Sequence, residues 1–360
     1  MMDVNLLPDG GVGWLDASGP ESHLVLSTRI RLARNLHGRR FGGRLDPAEY
    51  EEVVAEVSAA AAGTATLGQA VQFRVDGLPQ LDRRVLLERH LISRELAGLT
   101  SPESAARARA LLMQERSSVM VNEEDHLRLQ SLFSGVNFGP AWGAVDRVDT
   151  ELGQRLAFAF HPRFGYLTSC PTNVGTGLRA SVLIHLPGLV LTKEINKTLH
   201  GLTKVGLTYR GLYGEGSEVV GNFFQLSNQT TLGKSELELL DHLGRIVRHV
   251  ISVEEQARQL LLRDAPAILD DKCWRAFGLL RYARSLSFEE TMNLLSGVRL
   301  GVSLGLIPSV SLYALNKLLV FTQPAHLTAS VGAEVSDEEL AVRRADLVRR
   351  TLEDEVRRTG

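Results

Sequence analysis

The chain is poor in cysteine, and this scarcity limits its redox and metal chemistry. Cys170 and Cys273 are too few for a disulfide framework or a cysteine-based zinc site. The formal net charge of -2 gives no general attraction to nucleic acid. No apolar run reaches the roughly 20 residues of a membrane span, and the N-terminus lacks the basic and apolar parts of a signal peptide. We therefore expect a cytoplasmic protein that binds neither nucleic acid nor a membrane.

Two common phosphate-binding signatures are also missing. Gly233-Lys234-Ser235 looks like the end of a P-loop, but Asn228 occupies the position of the required first glycine. The catalytic-loop signature of protein kinases is absent as well. Phosphate recognition by either of these motifs is therefore excluded.

The first 230 residues mix signals for helices with signals for strands. Asp46-Pro47-Ala48-Glu49 combines a cap, a first-turn proline and a capping-box acid, and Gly63 suits the end of that helix. Val71–Val75 alternates like a strand, residues 145–156 have the spacing of an amphipathic helix, and Ser101-Pro102-Glu103 predicts a further helix start. This mixture predicts an α+β fold with an antiparallel sheet flanked by helices.

The remainder of the chain predicts helices almost throughout. Ser235-Glu236-Leu237-Glu238 is a second capping box, and the apolar stripe that follows continues to Leu262. Further helices are predicted over residues 274–286, from 287 onward, and over 312–320 and 337–350. We place a domain boundary at 254/255, between a catalytic domain (1–254) and an all-helical C-terminal domain (255–360) for dimerisation or partner and substrate binding. Alternatively, the tail merely completes the core.

The most informative segment runs from Cys170 to Ser181, with the sequence CPTNVGTGLRAS. Its glycines let the backbone approach a ligand closely. Its arginine, Arg179, can bind phosphate oxygens through two parallel hydrogen bonds. A cysteine beside such groups can be a reactive thiolate. The segment therefore suggests an anion site beside a soft nucleophile, although a buried cysteine in a turn is the simpler alternative.

Three other segments favour the functional interpretation. Residues 26–35 place Arg29 and Arg31 on the same face of a strand, where their charges repel unless an anion lies between them. Residues 121–128 contain three carboxylates, an imidazole and an arginine. Residues 210–218 form a glycine-rich segment with an arginine and a glutamate, which suits a mobile loop that closes over a ligand.

Together these segments resemble the phosphagen kinase superfamily, the ATP:guanidino phosphotransferases. The matching motifs are S-T-R-x-R, N-E-E-D-H-L-R, C-P-T-N-x-G-T-G-x-R-A-S and R-G-x-x-G-E, in the family's order between about residues 20 and 240. The resemblance implies the same antiparallel sheet flanked by helices. Creatine and metazoan arginine kinases carry a helical domain of about a hundred residues before the first motif, whereas 26 residues precede Ser27 here. The short segment before the first motif and the long C-terminal segment after the last one resemble those of the bacterial protein-arginine kinases.

The resemblance implies that ATP is the phosphoryl donor, accompanied by Mg²⁺ that is bound mainly through the nucleotide. Five arginines match the family's phosphate-binding cluster, and His90 occupies the position of a histidine near the adenine. No protein ligand to a metal is expected. The implied ATP-binding residues are Ser27, Thr28, Arg29, Ile30, Arg31, His90, Arg128, Arg179, Ala180, Ser181, Val182, Leu183, Arg210, Gly211, Leu212, Tyr213, Gly214 and Glu215.

The acceptor would be a guanidinium, which is protonated at neutral pH and therefore a poor nucleophile. Carboxylates can orient it and accept a proton. Glu124 and Glu215 match the family's two catalytic glutamates. Cys170 would contact the guanidinium as a thiolate, with Thr172 Oγ as a neighbour. Supporting roles in the local network are implied for Asn122, Glu123, Asp125 and His126.

The implied function is transfer of the γ-phosphoryl group of ATP to arginine side chains of proteins. Phosphoarginine would mark proteins for an ATP-dependent unfoldase and protease and would modulate stress-response regulators. A separate zinc-binding activator protein and a homodimer are further implications. The alternatives are a kinase of a small free guanidino compound and a catalytically idle phosphoarginine-binding adaptor.

One departure from the subgroup concerns regulation. Its C-terminal R-D-x-x-R-A motif forms a phosphoarginine-sensing pocket, whereas the matching stretch here, residues 340–345, reads LAVRRA. Arg344 and Ala345 are kept, but Leu340 and Ala341 replace the leading Arg-Asp pair. We therefore expect the allosteric response to phosphoarginine to be weakened or absent.

Overall fold

The computed structural model describes residues 6–100, 107–211, 219–332 and 335–359. Two predicted features lie outside these ranges: the helix start at Ser101-Pro102-Glu103, and the loop residues 212–218, which include Glu215. Within the described ranges, no helix combines the length and the apolar character needed to cross a membrane.

An antiparallel sheet forms the centre of the fold, as the sequence predicts. The described strands are β1 (Val25–Arg34), β2 (Val71–Arg74), β3 (Ala110–Gln114), β4 (Ser117–Val121), β5 (Leu127–Ser134), β6 (Phe160–His161), β7 (Gly165–Tyr166), β8 (Leu178–His185), β9 (Leu207–Arg210) and β10 (Phe223–Asn228). Eight of them form one sheet in the order β2-β3-β4-β5-β1-β8-β10-β9, and β6 pairs with β7 separately. The first strand is therefore paired on both sides, with β5 and β8.

Helices flank the sheet and make up most of the C-terminal third. Those described are α1 (Pro47–Ala62), α2 (Gln80–Glu88), α3 (Phe138–Gly153), α4 (Pro187–Leu191), α5 (Ile195–Lys204), α6 (Glu236–Asp264), α7 (Pro266–Tyr282), α8 (Phe288–Ser303), α9 (Leu312–Phe321), α10 (Pro324–Val331) and α11 (Asp337–Thr359).

Both capping boxes are present at the predicted helix starts. The Glu49 carboxylate accepts the Asp46 N–H at 2.7 Å, and the Glu238 carboxylate accepts the Ser235 N–H at the same distance. Several predicted boundaries are wrong. The helix predicted to end at residue 286 ends at Tyr282, and the helix predicted to end at residue 350 continues to Thr359. Helix α3 ends at Gly153, so Leu156 lies beyond it, although it stays buried. Helix α7 begins earlier than predicted, at Pro266, because a proline fits the first turn of a helix.

The apolar side chains form two large clusters. The first lies between the sheet, α1, α3 and most of α6, and the second joins α7, α8, α9 and α11 to residues of the sheet such as Leu26 and Phe223. Helix α6 runs continuously through the predicted boundary at 254/255, and it contributes Ala257 to the first cluster and Leu261 to the second. The division into two domains at this point stays a prediction.

Glu254 links these layers through a buried set of polar contacts. It is fully buried in α6, and its carboxylate accepts the backbone N–H groups of Gly188 and Leu189 at 2.8 and 2.9 Å. The Arg258 Nε donates to the same carboxylate at 2.7 Å, while its Nη1 donates to Ser303 of α8. Burial raises the pKa of Glu254, although Arg258 and the N–H groups oppose this rise.

We predict that Glu254→Ala lowers the free energy of unfolding by about 3–5 kcal/mol, because it leaves Arg258 and two N–H groups buried without their acceptor. Urea unfolding monitored by circular dichroism measures this change. Glu255→Ala is the matched control, since its side chain is 51% exposed, and its effect should stay within about 0.5 kcal/mol. Equal effects of the two substitutions would contradict the argument.

Candidate active site

A cavity of about 400 Å³ lies on the face of the sheet that carries Arg29 and Arg31. Ile30, between them on β1, points to the opposite face and is fully buried in the first apolar cluster. The turn after α2, the N-terminal part of β5, the loop before β8, and strands β8 to β10 supply the other walls. The predicted residues among its lining are Arg29, Arg31, His90, Glu124, Arg128, Cys170, Arg179 and Arg210.

Strand pairing brings the arginines together. Arg31 on β1 lies opposite Arg179 on β8, and the neighbouring Ala33 lies opposite Arg128 on β5. Like charges that face each other across strands destabilise a sheet. Three segments that are distant in the sequence therefore place their guanidinium groups around one cavity.

The arginines are held in an environment that disfavours their own charge. Burial, followed by the charges of Arg128 and Arg179, lowers the pKa of Arg29 to about 10. Burial and the neighbouring arginines also lower the pKa of Arg31 well below its usual range. The Nε of Arg31 is buried and has no hydrogen-bond partner among the described residues. An anion with several oxygen acceptors would stabilise the charged forms of both arginines and could accept a hydrogen bond from Arg31 Nε.

Glu124 faces this cluster from the turn between β4 and β5. Its carboxylate lies 3.3 Å from Arg128 Nη2, while Arg128 Nη1 donates to the buried Glu123 at 2.6 Å. Burial lowers the pKa of Arg128, but the carboxylates around it outweigh this effect and raise it. Burial also raises the pKa of Glu124, helped by Glu123 and Asp125 and opposed by Arg128. Glu124 is therefore a stronger base than an ordinary carboxylate.

The other acidic-segment residues hold the backbone in place. Asn122 has a φ of 59° and donates to the carbonyl oxygens of Tyr50 and Ala108, both at 2.8 Å. The Nδ1 of His126 accepts the Leu36 N–H at 2.9 Å. These contacts fit the supporting roles that the resemblance implies.

Asp125 connects the acidic segment to the cysteine loop. Its Oδ1 accepts the Ser169 N–H and the Asn35 side-chain amide, both at 2.6 Å. Cys170 follows directly, and its Sγ lies 3.0 Å from Thr172 Oγ1. Asn35 was not assigned a role from the sequence, although it directly follows the predicted arginine strand. Its link to Asp125 spans 90 positions, which no local pattern reveals.

Several residues of the predicted ATP-binding segments do not line the cavity. Ile30, Ala180 and Val182 belong to the buried core, and the Thr28 hydroxyl donates to the Gly135 carbonyl oxygen at 2.6 Å. Strand alternation accounts for this division, because every second side chain faces the core. The remaining strand residues, Ser27, Ser181 and Leu183, line a small adjoining cavity with Arg29 and His90. Gly211 is described next to β9, whereas Leu212, Tyr213, Gly214 and Glu215 lie outside the described residues.

Gln225 and Glu95 are two of the lining residues to which the sequence assigned no role. Gln225 on β10 accepts a hydrogen bond from Arg29 Nη2 at 2.9 Å, so it orients a phosphate-binding candidate. Glu95 lines the same cavity and adds to the rise in the pKa of Glu124. Gln225 lies in the segment NFFQLSN that follows the glycine-rich residues 210–218, and its position there could have identified it. Nothing in the sequence distinguishes Glu95.

His90 lies at the cavity wall, just beyond the end of α2. Burial, followed by the charge of Arg29, lowers the pKa of its imidazole to about 3. The ring is therefore neutral at physiological pH, which suits a flat contact with an uncharged base.

Comparisons with known proteins agree with this geometry. The family model for the ATP:guanido phosphotransferase C-terminal catalytic domain matches residues 51–257. The model for the protein-arginine kinase McsB C-terminal domain matches residues 266–359. Lombricine kinase has a similar solved structure, with a TM-score of 0.57 and 26% identity over 69% of this chain and 71% of that one. The duplicated taurocyamine kinase of Schistosoma mansoni gives a TM-score of 0.59 and 27% identity, covering 74% of this chain and 41% of that one.

Full-length relatives are closer in sequence. The protein-arginine kinase of Symbiobacterium thermophilum is 47% identical over 342 residues, covering 94% of this chain and 96% of the relative. That of Pelotomaculum thermopropionicum is 44% identical over 340 residues, covering 94% of both chains. The protein is therefore an ATP-dependent guanidino phosphotransferase. With its catalytic and C-terminal family models and its near full-length relatives, the chain belongs to the protein-arginine kinases of the ATP:guanido phosphotransferase family.

Proposed function

We propose that this protein transfers the γ-phosphoryl group of ATP to the guanidinium groups of arginine side chains in proteins. The observation that carries the proposal is one cavity with two chemically distinct walls. Arg29, Arg31 and Arg179 make one wall cationic, while Glu124 and Cys170 face it with groups that attract a cation. A donor anion and an acceptor guanidinium can thus meet between them.

The arginine wall supports binding of the triphosphate. Phosphoryl transfer depends on positioning and on neutralising the charge of the transferred group. Burial and the charges of the neighbouring arginines lower the pKa values of Arg29 and Arg31, so an anion bound beside them would stabilise their charged forms. The neutral His90 would contact the base. The charge of the arginines and the neutral ring of His90 thus support the ATP-binding roles proposed for these residues.

Magnesium would be bound mainly by the phosphate oxygens and water, and it would screen their charge. Among the described residues, the one group of side chains close enough to hold a metal is Glu21, His23 and Glu255, which does not line the cavity. We propose that the ion is held through the nucleotide, while the arginines that line the cavity contact the phosphate oxygens.

The acidic wall supports the chemistry of the acceptor. Glu124 pairs with the guanidinium and accepts the proton that the attacking nitrogen loses. The nitrogen forms a bond to the γ-phosphorus, the bond from that phosphorus to the β–γ bridging oxygen breaks, and ADP leaves. Cys170 orients the guanidinium without forming a covalent intermediate. A matching role for Glu215 rests on the family motif.

The protein nature of the acceptor is supported by the relatives, which are named protein-arginine kinases. The subgroup resemblance supports the wider role as well. Phosphoarginine would direct proteins to an unfoldase and protease and would modulate stress-response regulators, with a zinc-binding activator as a separate chain.

We further propose a cytoplasmic homodimer and a weakened response to phosphoarginine. The retained Arg344 is buried and donates to the carbonyl oxygens of Thr322 and Leu286.

We predict that Glu124→Gln lowers kcat by about 10²–10⁴-fold, because the amide cannot accept the proton. Its affinity for ATP should stay within about twofold, since the arginine wall is unchanged. Turnover with labelled ATP and equilibrium binding of a non-hydrolysable analogue measure the two effects. Glu353→Gln, an exposed carboxylate on α11, serves as the control. Retention of more than a third of the turnover by Glu124→Gln would sink the assignment.

The raised pKa of Glu124 predicts the acid limb of the pH profile. A base must be deprotonated, so kcat/KM for the acceptor should fall about tenfold per pH unit below that pKa. Because burial moves the pKa above its ordinary value of 4.5, the fall should begin at a pH above that value. The measurement uses saturating ATP at each pH. A profile that stays flat down to pH 4.5 would exclude Glu124 as the base.

The acceptor itself is tested by offering a model protein and free arginine in parallel with γ-labelled ATP. We predict label on the protein that is lost in acid and survives base, as expected of a phosphoramidate, and little label on free arginine. Glu124→Gln is the negative control. Label mainly on free arginine would instead support a small-molecule guanidino kinase, as the names of the solved structural relatives suggest. Absence of label on both would support the idle adaptor or a requirement for the separate activator.

A further inference from the structure

His90 occupies an unusual backbone position at the cavity wall. Its φ of 60° lies in the left-handed region, which residues other than glycine adopt uncommonly and at some cost in strain. Its carbonyl oxygen accepts a hydrogen bond from Gln130 Nε2 at 3.1 Å. Its ring meets the Trp14 ring edge-on, with centroids 5.3 Å apart. The position of His90 therefore depends on contacts outside its own turn.

Trp14 is itself attached to the C-terminal helices. Its side chain belongs to the same buried apolar cluster as Val320 of α9, and its indole N–H donates to the carbonyl oxygen of Arg89 at 3.2 Å. Asn316, also on α9, donates to the carbonyl oxygen of Leu15 at 2.9 Å. The segment behind His90 is thus held from the C-terminal part of the chain.

The most direct link runs from the end of α2 to the start of α10. The Glu88 carboxylate accepts the N–H groups of Ala325 and His326 at 2.9 and 3.0 Å, and the ring Nδ1–H of His326 at 2.7 Å. Gln323, the N-cap residue of α10, makes no side-chain capping bond. A glutamate more than 230 positions away therefore satisfies the first turn of α10.

Arg89 completes this link from the other side of the imidazole. Its Nε–H donates to His326 Nε2 at 3.0 Å, and its guanidinium also donates to the Gly10 carbonyl oxygen. Because Nε2 accepts this hydrogen bond, the proton that the ring donates to Glu88 lies on Nδ1. Glu88 and Arg89 immediately precede His90, so α10 fixes the two peptide units that lead into the cavity wall.

We propose that His326 is a positioning residue for the nucleotide. Through Glu88 and Arg89 it holds the turn that presents His90, and the C-terminal helices thereby complete the nucleotide pocket. The proposal rests on the proposed function only in taking this cavity as the ATP site. It assigns the C-terminal helices a share in donor binding in addition to any role in binding partners.

The test is His326→Phe in the full-length protein, which keeps a ring but removes both hydrogen bonds. We expect the KM for ATP to rise about fivefold to tenfold, as for the loss of one or two such bonds. The affinity for a non-hydrolysable ATP analogue should fall by the same factor. In contrast, kcat and the KM for the protein acceptor should stay within about twofold. The matched control is Ser330→Ala on the same helix, whose hydroxyl donates to the Leu327 carbonyl oxygen, and it should change none of these values.

A double-mutant cycle with His90→Ala separates positioning from general stability. If His326 acts through His90, the double variant should have the KM for ATP of His90→Ala alone. The proposal would be overturned if the increase in the KM for ATP of the double variant were the product of the increases of the two single variants. An unchanged analogue affinity in a folded His326→Phe protein would overturn it as well. If that variant does not fold, Arg89→Lys replaces it, because lysine keeps the charge but cannot reproduce the Nε–H donor. A twofold to fivefold loss of analogue affinity is then expected, and no loss would overturn the proposal.

The same measurements separate this proposal from the proposed function. If the unchanged protein bound no ATP analogue, both would be overturned. If the protein bound the analogue, phosphorylated free arginine, and lost affinity in His326→Phe, the protein acceptor would be wrong and the role of His326 would stand.

Discussion

Mutual repulsion among the arginines of one cavity is the constraint on which the rest of the site depends. Arg31 and Arg179 lie opposite each other on paired strands, and Arg29 completes the cluster on the same sheet face. Burial and this mutual repulsion lower the pKa values of Arg29 and Arg31, so an anion bound among the guanidinium groups would be stabilising. The apolar cluster on the opposite face of the sheet, where Ile30 is buried, holds the strands together in spite of this cost. The core thus keeps the cations in place around the cavity.

The arginines also affect the opposite wall of the cavity, which carries Glu124 and Cys170. Glu124 would pair strongly with any cation beside it, and a strong ion pair would weaken it as a base. Instead, Arg128 makes its shorter contact with Glu123, and burial raises the pKa of Glu124. The same turn is tied to the cysteine loop through Asp125. The two candidate groups for the acceptor are therefore held in one rigid arrangement, which suits a transfer that depends on positioning.

The C-terminal helices are connected to this arrangement through buried polar contacts as well as apolar packing. Glu254 joins α6 to the start of α4, and Glu88 joins α2 to the start of α10. Each carboxylate satisfies backbone N–H groups that a helix start leaves open. Such contacts are specific in geometry, because a small displacement leaves a buried charge without its partner. The contact of Glu88 also joins the helical part of the chain to the turn that carries His90.

The sequence by itself determined which motifs are present, where the capped helices begin, and that Arg29 and Arg31 share one strand face. These features follow from local periodicity and from side-chain contacts a few residues apart. Only the tertiary structure decided that Arg179 faces Arg31, that Asn35 holds the cysteine loop through Asp125, and that His326 meets Glu88. Helix ends such as that of α3 were misplaced for the same reason. These outcomes depend on strand order and on packing between segments far apart in the chain, and local sequence patterns carry no information about either.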